Sequence, residues 1–169
     1  MRRSLVFALS AVAVASAVGF QRQLSPQLQV KQIGAVVNTK ALAIALNMYA
    51  EDADGIYPNV RNLKSLKVVT WPYVKDKSTW KTENPKSEIR FNSSVGGVAK
   101  ASIKNPAEIV MFYESKPWPD GLRAVSFVDG HARLVHTFDW GKIAGTLVNR
   151  DLAKVALPLP EDLGKAWKD

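Results

Sequence analysis

Arg-Ala-Val-Ser-Phe-Val-Asp-Gly-His-Ala-Arg-Leu-Val-His, residues 123–136, reads as two short strands joined at Asp129-Gly130. Asp-Gly between strand-like runs is the strongest short hairpin signal, because a type I′ turn needs positive φ at both central residues. A two-residue loop sets Val128 opposite His131, Phe127 opposite Ala132 and Val125 opposite Leu134. Opposed residues share a face. The expectation is one apolar surface of Val125, Phe127, Ala132 and Leu134, turned toward a helix. Ala124, Ser126, Val128, His131, Arg133 and Val135 fall on the other side.

Just upstream, Glu108 to Glu114 is a continuous apolar run that reads as a third strand, closed by the turn residues of Lys-Pro-Trp-Pro-Asp-Gly. Residues 82–107 are polar and broken by Pro85, Gly96, Gly97 and Pro106, so a loop is expected there, with one short strand near Arg90 to Asn92. Leu63 to Val69 fits a short helix.

The N-terminal part supplies the helix. Ser25-Pro26 is a start signal, since serine caps free N–H groups and proline suits the first helical position. Leu28, Ile33, Val37, Ala41, Ile44 and Met48 recur at helical spacing, with Val30, Val36, Leu42, Ala45 and Tyr49 widening the stripe, and a helix this long needs a partner surface or projects beyond the domain. Gly55 and Pro58 stop the pattern, giving a helix over residues 26–53 of about 40 Å at 1.5 Å per residue. A further helix is expected from about 139 to 155, with Ile143, Leu147 and Val155 inward, until Leu157-Pro158-Leu159-Pro160 ends it. Long helix, irregular middle and antiparallel strands make an α+β domain over residues 25–157, followed by a tail at 158–169.

Before the domain, Arg2 and Arg3 lead into the apolar run Leu5–Val14, which ends in Ala15-Ser16-Ala17. A basic start, a short apolar stretch and a small-x-small end describe a signal peptide over residues 1–17. Stretched to Phe20, the same run is a membrane anchor slightly short of the roughly 20 residues a bilayer needs. Either way the bulk of the chain is expected to be exported.

Composition removes many chemistries. The 169 residues include no cysteine, which excludes disulfides, zinc ribbons and thiol nucleophiles, and only two histidines, His131 and His136. Five apart on one strand, those two point to opposite faces and cannot share a metal. The net charge of +8 is scattered, without the clustered basic stripe that nucleic-acid binding requires. No phosphate loop or nucleophile elbow occurs, so no enzyme activity and no nucleic-acid partner are expected.

Four strings, taken together, resemble the type IV pilin-like proteins and the pseudopilins of type II secretion. They are Leu46 to Pro58, Pro72 to Lys75, Ile103 to Ser115 and Phe127 to Val135. They are most similar to a bacterial pilin-like group named for a histidine, a nine-residue gap and Asp-Gly. The resemblance spans about Lys40 to Val135. It implies a helical spine on a small antiparallel sheet, with Met48, Tyr49, Asp52, Asp54, Gly55 and Pro58 as the helix-end motif and Asp129, Gly130 and His131 as the hairpin motif. The chain departs from the pattern in three places. The histidine position is Pro119, the usual loop cysteines are absent, and no Gly-Phe-Thr-Leu-Ile-Glu leader occurs, Glu51 being the first glutamate.

The implied role is an exported, non-enzymatic structural or interaction subunit of the cell envelope. Its partners would be envelope proteins, among them copies of itself or other pilin-like subunits, and the membrane if the N-terminus is kept. The alternative is a secreted soluble binding module that keeps the pilin-like head and does not assemble. Glu51, Asp52 and Asp54 are weak calcium candidates, since calcium takes several carboxylate oxygens, but the glutamate that closes such a loop is missing. Asp129 and Gly130 are explained by the turn alone. Tryptophans beside prolines could line a binding surface, though packing over a small sheet is their commoner use.

Overall fold

The computed structural model describes residues 25–60 and 62–148. It is α+β. Helix α1 spans Pro26–Asp52 and α2 spans Leu63–Thr70. The strands are β1 (Ile89–Phe91), β2 (Val110–Glu114), β3 (Leu122–Phe127) and β4 (Ala132–His136), and α3 follows at Thr137–Ile143. They form one antiparallel sheet in the order β1-β2-β3-β4. The segments 1–17 and 158–169 lie outside the described residues.

Both ends of α1 follow the rules read from sequence. The Ser25 hydroxyl accepts from the Leu28 N–H at 3.3 Å, and Pro26 opens the first turn. At the other end the Gly55 N–H donates to the Ala50 carbonyl at 2.7 Å. That closure needs left-handed backbone, and Asp54 and Gly55 supply it with φ of 52° and 76°.

The buried face of α1 takes only part of the apolar stripe. Ala35, Leu42, Ala43, Ala45, Leu46 and Ala50 lie inside, together with Gln32 and Thr39. Val30, Ile33, Val37, Ile44 and Met48 are exposed, at 68, 60, 58, 43 and 48 %. Alanines let the helix axis approach the sheet closely, and Leu42 and Leu46 fill what space remains. The larger apolar side chains on the opposite side are left uncovered.

The hairpin is corrected by one residue. The Phe127 N–H donates to the His131 carbonyl, and the Gly130 N–H to the Phe127 carbonyl, both at 2.9 Å. Only Gly130 has a positive φ, 92°, so the loop is Val128-Asp129-Gly130. It is a turn completed by a left-handed glycine rather than a two-residue type I′ turn. The register becomes Ser126↔Ala132 and Ala124↔Leu134. A slip of one residue moves side chains to the other face. Ala124 and Leu134 therefore lie on the α1 side with Ala35 and Trp118. Val125 and Phe127 are buried as well, but on the far side, with Val135, Trp140, Ile143 and Leu147.

A register shift between Val110 and Phe112 in β2 reconciles the two layers. Val110 joins the far cluster, whereas Met111 and Phe112 both join the main core with Leu42, Leu46 and Trp80. The C-terminal helix is shorter than expected. It starts at Thr137, capped by His136, and passes into a 3₁₀ turn at Ala144–Val148. Gly141 and Gly145, poor helix formers, explain the loss of α geometry. Residues 149–155, Val155 among them, lie outside the described residues.

The face assignment is testable by denaturant unfolding. Leu46→Ala is expected to cost about 2–5 kcal/mol because it opens a cavity under the sheet. Ile33→Ala is expected to stay within about 0.5 kcal/mol.

Candidate functional site

Met48 of the helix-end motif meets Asp129 and Gly130 of the hairpin motif at one place. The last turns of α1 and the hairpin loop bound a hollow of about 500 Å³, lined by Ile44, Asn47, Met48, Glu51, Lys100, Pro106, Val128, Asp129 and Gly130. Asn47 ties its walls together. Its Nδ2 donates to the Val128 carbonyl at 3.0 Å and to the Ala43 carbonyl at 3.1 Å, and its Oδ1 accepts from the Tyr57 hydroxyl at 2.7 Å. One amide side chain thus joins helix, hairpin and the loop after the helix.

The helix-end residues have separate duties. Met48 lines the hollow, and Tyr49 meets the Tyr73 ring edge-on at 6.5 Å. Asp52 accepts from the Tyr73 hydroxyl at 2.5 Å, while Glu51 pairs with Lys100 at 2.5 Å. Asp54 is exposed in its left-handed turn, and Pro58 is buried. Glu51, Asp52 and Asp54 therefore do not converge on one point. Among the described residues no three His, Cys, Asp or Glu side chains come close enough to hold a metal ion.

Burial pushes Tyr73 up to about 12, and the Asp52 carboxylate and Tyr49 add to the shift. Tyr57 is raised further, by burial first and then by the charge of Glu51.

At the hairpin, Asp129 Oδ1 accepts from the His131 backbone N–H at 3.1 Å and lies 2.6 Å from its Nδ1. The His131 ring stacks on Phe127 at 4.3 Å. The aspartate thus closes its own turn and fixes the next side chain. His136 sits at the opposite end of β4, where its Nδ1 accepts from the Phe138 N–H at 3.3 Å. Trp80 and Trp118 are buried, and Trp71 and Trp140 are half-buried, as packing residues would be.

A second polar centre escaped the sequence reading. Glu114, at the end of β2, is fully buried. It accepts from the Thr82 hydroxyl, from Trp118 Nε1 at 2.7 Å and from the Ala124 N–H at 2.8 Å. Arg123 beside it is also buried. Its Nη1 donates to the Glu114 carbonyl at 3.3 Å, its guanidinium lies 4.3 Å from the Trp140 ring centre, and its Nε has no partner. Burial lowers the Arg123 pKa against the pull of Glu114 and Tyr113. The only sequence signal was a glutamate closing an apolar run, which reads equally well as a solvated strand end.

The hollow has apolar walls from Ile44, Met48, Pro106 and Val128 and a charged rim from Glu51, Lys100 and Asp129. Two predictions follow from the two polar centres. Glu114→Ala leaves three donors unanswered and takes the carboxylate charge away from buried Arg123, and is expected to cost about 3–5 kcal/mol, with Glu114→Gln costing less because one acceptor oxygen remains. Denaturant unfolding measures both. The raised tyrosines stay protonated in the fold but ionise near their ordinary value of 10.0 when it opens. Their contribution is complete below pH 10 and is lost as pH rises through about 12, so the thermal unfolding midpoint should fall across that window while tyrosinate absorbance lags behind an unfolded control.

No protein-family profile, curated protein or solved structure matches the chain.

Proposed function

We propose that this protein is an exported, non-enzymatic subunit of the pilin-like kind that works at the cell envelope through protein contacts. The observation that carries the reading is the uncovered apolar row on α1, from Val30 to Met48. Large apolar side chains on the outer side of a helix are normally covered by another surface. Here the fold buries one side only, so the other awaits a partner. By length and composition α1 could cross a membrane, but its inner face packs on the sheet. That arrangement suits a spine that carries a head. The run Leu5–Phe20, just before the helix, supports export or anchoring.

The hollow beside Met48 favours a second reading, a secreted module that binds a partner there without assembling. Fractionation of the producing cells with mass spectrometry of the N-terminus separates the two. An intact N-terminus in the membrane fraction is expected for the envelope subunit. A soluble exported chain beginning at Val18 would support the secreted module, and an unprocessed chain in the cytoplasm would overturn both.

A further inference from the structure

The uncovered row has a regular spacing. Val30, Gly34, Val37, Ala41, Ile44 and Met48 follow one another by four, three, four, three and four residues. That is a heptad seam, the pattern by which two helices pack side by side. Gly34 sharpens the point. It lies in the middle of α1 and is exposed, and a Cβ added there would meet nothing within 4 Å. A helix-interior glycine costs roughly 0.5–1 kcal/mol relative to alanine. The fold of one chain has no use for it, whereas the close approach of a second helix does.

We propose that α1 pairs with α1 of a second copy, antiparallel, about a two-fold axis level with Thr39. In an antiparallel seam the two kinds of heptad position face each other across the axis. Ile44 of one copy then sits over Gly34 of the other, Val37 over Ala41, and Val30 against Met48. Each of the first two layers joins a branched side chain to a small one. A parallel pair would instead set Gly34 on Gly34, Ile44 on Ile44 and Lys40 beside Lys40. The antiparallel register places Lys40 level with the uncharged Asn38. It also brings Glu51 level with Gln27 in the first turn of the other helix, at the positive end of its dipole. Val30, 68 % exposed, enters the second copy's hollow of about 500 Å³ beside Met48.

The seam is about 27 Å long. With the hollow it buries on the order of 1,200 Å² in all, the low end of a stable interface, which fits a reversible dimer. The pair is closed, so it does not extend into a filament. The proposal takes the interaction-subunit reading and names its partner. It makes no use of export and fails or stands separately from it.

The test is sedimentation equilibrium of the full chain across a wide concentration range, with vesicles of neutral lipid as a parallel probe. A monomer–dimer equilibrium is expected. Gly34→Leu adds a good helix former in open space, so the fold should persist while the dimer dissociation constant rises at least about tenfold. The chain has no cysteine of its own. Oxidation should therefore link copies that carry Val37→Cys and Ala41→Cys together, and should not link copies that carry either one alone. A monomer at every concentration, an undiminished Gly34→Leu dimer, linkage through Val37→Cys alone, or vesicle binding without dimer would each overturn the proposal.

Discussion

The seating of the alanine-rich side of α1 on the sheet is the constraint from which the rest follows. Ala43, Ala45 and Ala50 are too small to hold the sheet away, so Leu42 and Leu46 reach the main core directly and are fully buried. Close seating also brings Asn47 within reach of the Val128 carbonyl in the hairpin loop. The hairpin then closes over α1, and its far face takes α3. With its small residues committed to the sheet, the helix turns its valines and isoleucines outward.

Polar groups finish the assembly at both ends. Gln32, buried on α1, donates to Asp120 at 2.7 Å and docks the loop before β3. Glu114 gathers a hydroxyl from Thr82, 32 residues upstream, with the Trp118 indole N–H and the Ala124 backbone N–H from the turn and strand that follow it. Such groups contribute little when paired and cost much when orphaned, so they select one arrangement of the loops rather than add to its strength. The tryptophans work the same way. Trp118 is held by its N–H, and Trp140 covers Arg123.

The sequence was legible wherever backbone chemistry is local. Ser25-Pro26, Gly55, the short helix and the positions of the strands along the chain needed only capping, turn and periodicity rules, and all are present. It misled where packing decides. Counting large apolar residues on α1 does not pick out its buried side, because a close helix–sheet contact is built from alanine, which a hydrophobicity count undervalues. Asp129-Gly130 located the hairpin, but its loop length was open to two solutions one residue apart, and that residue exchanged the two faces of the strands. For the site, the meeting of Met48 with Asp129 and Gly130 follows from tertiary contact across some eighty residues, and Glu114 lacks any local signature of burial.

That separation also bears on how the chain reaches its structure. The Asn47 to Val128 bond spans 81 residues, and β3, the strand beneath α1, is nearly as distant. Contacts of such long range fold slowly, since the loop between them must close before they contribute. During synthesis α1 emerges well ahead of its sheet, with apolar groups on every side and nothing native to cover them. In that interval its outer row is the same adhesive surface that the finished protein displays, so early encounters between nascent helices compete with folding.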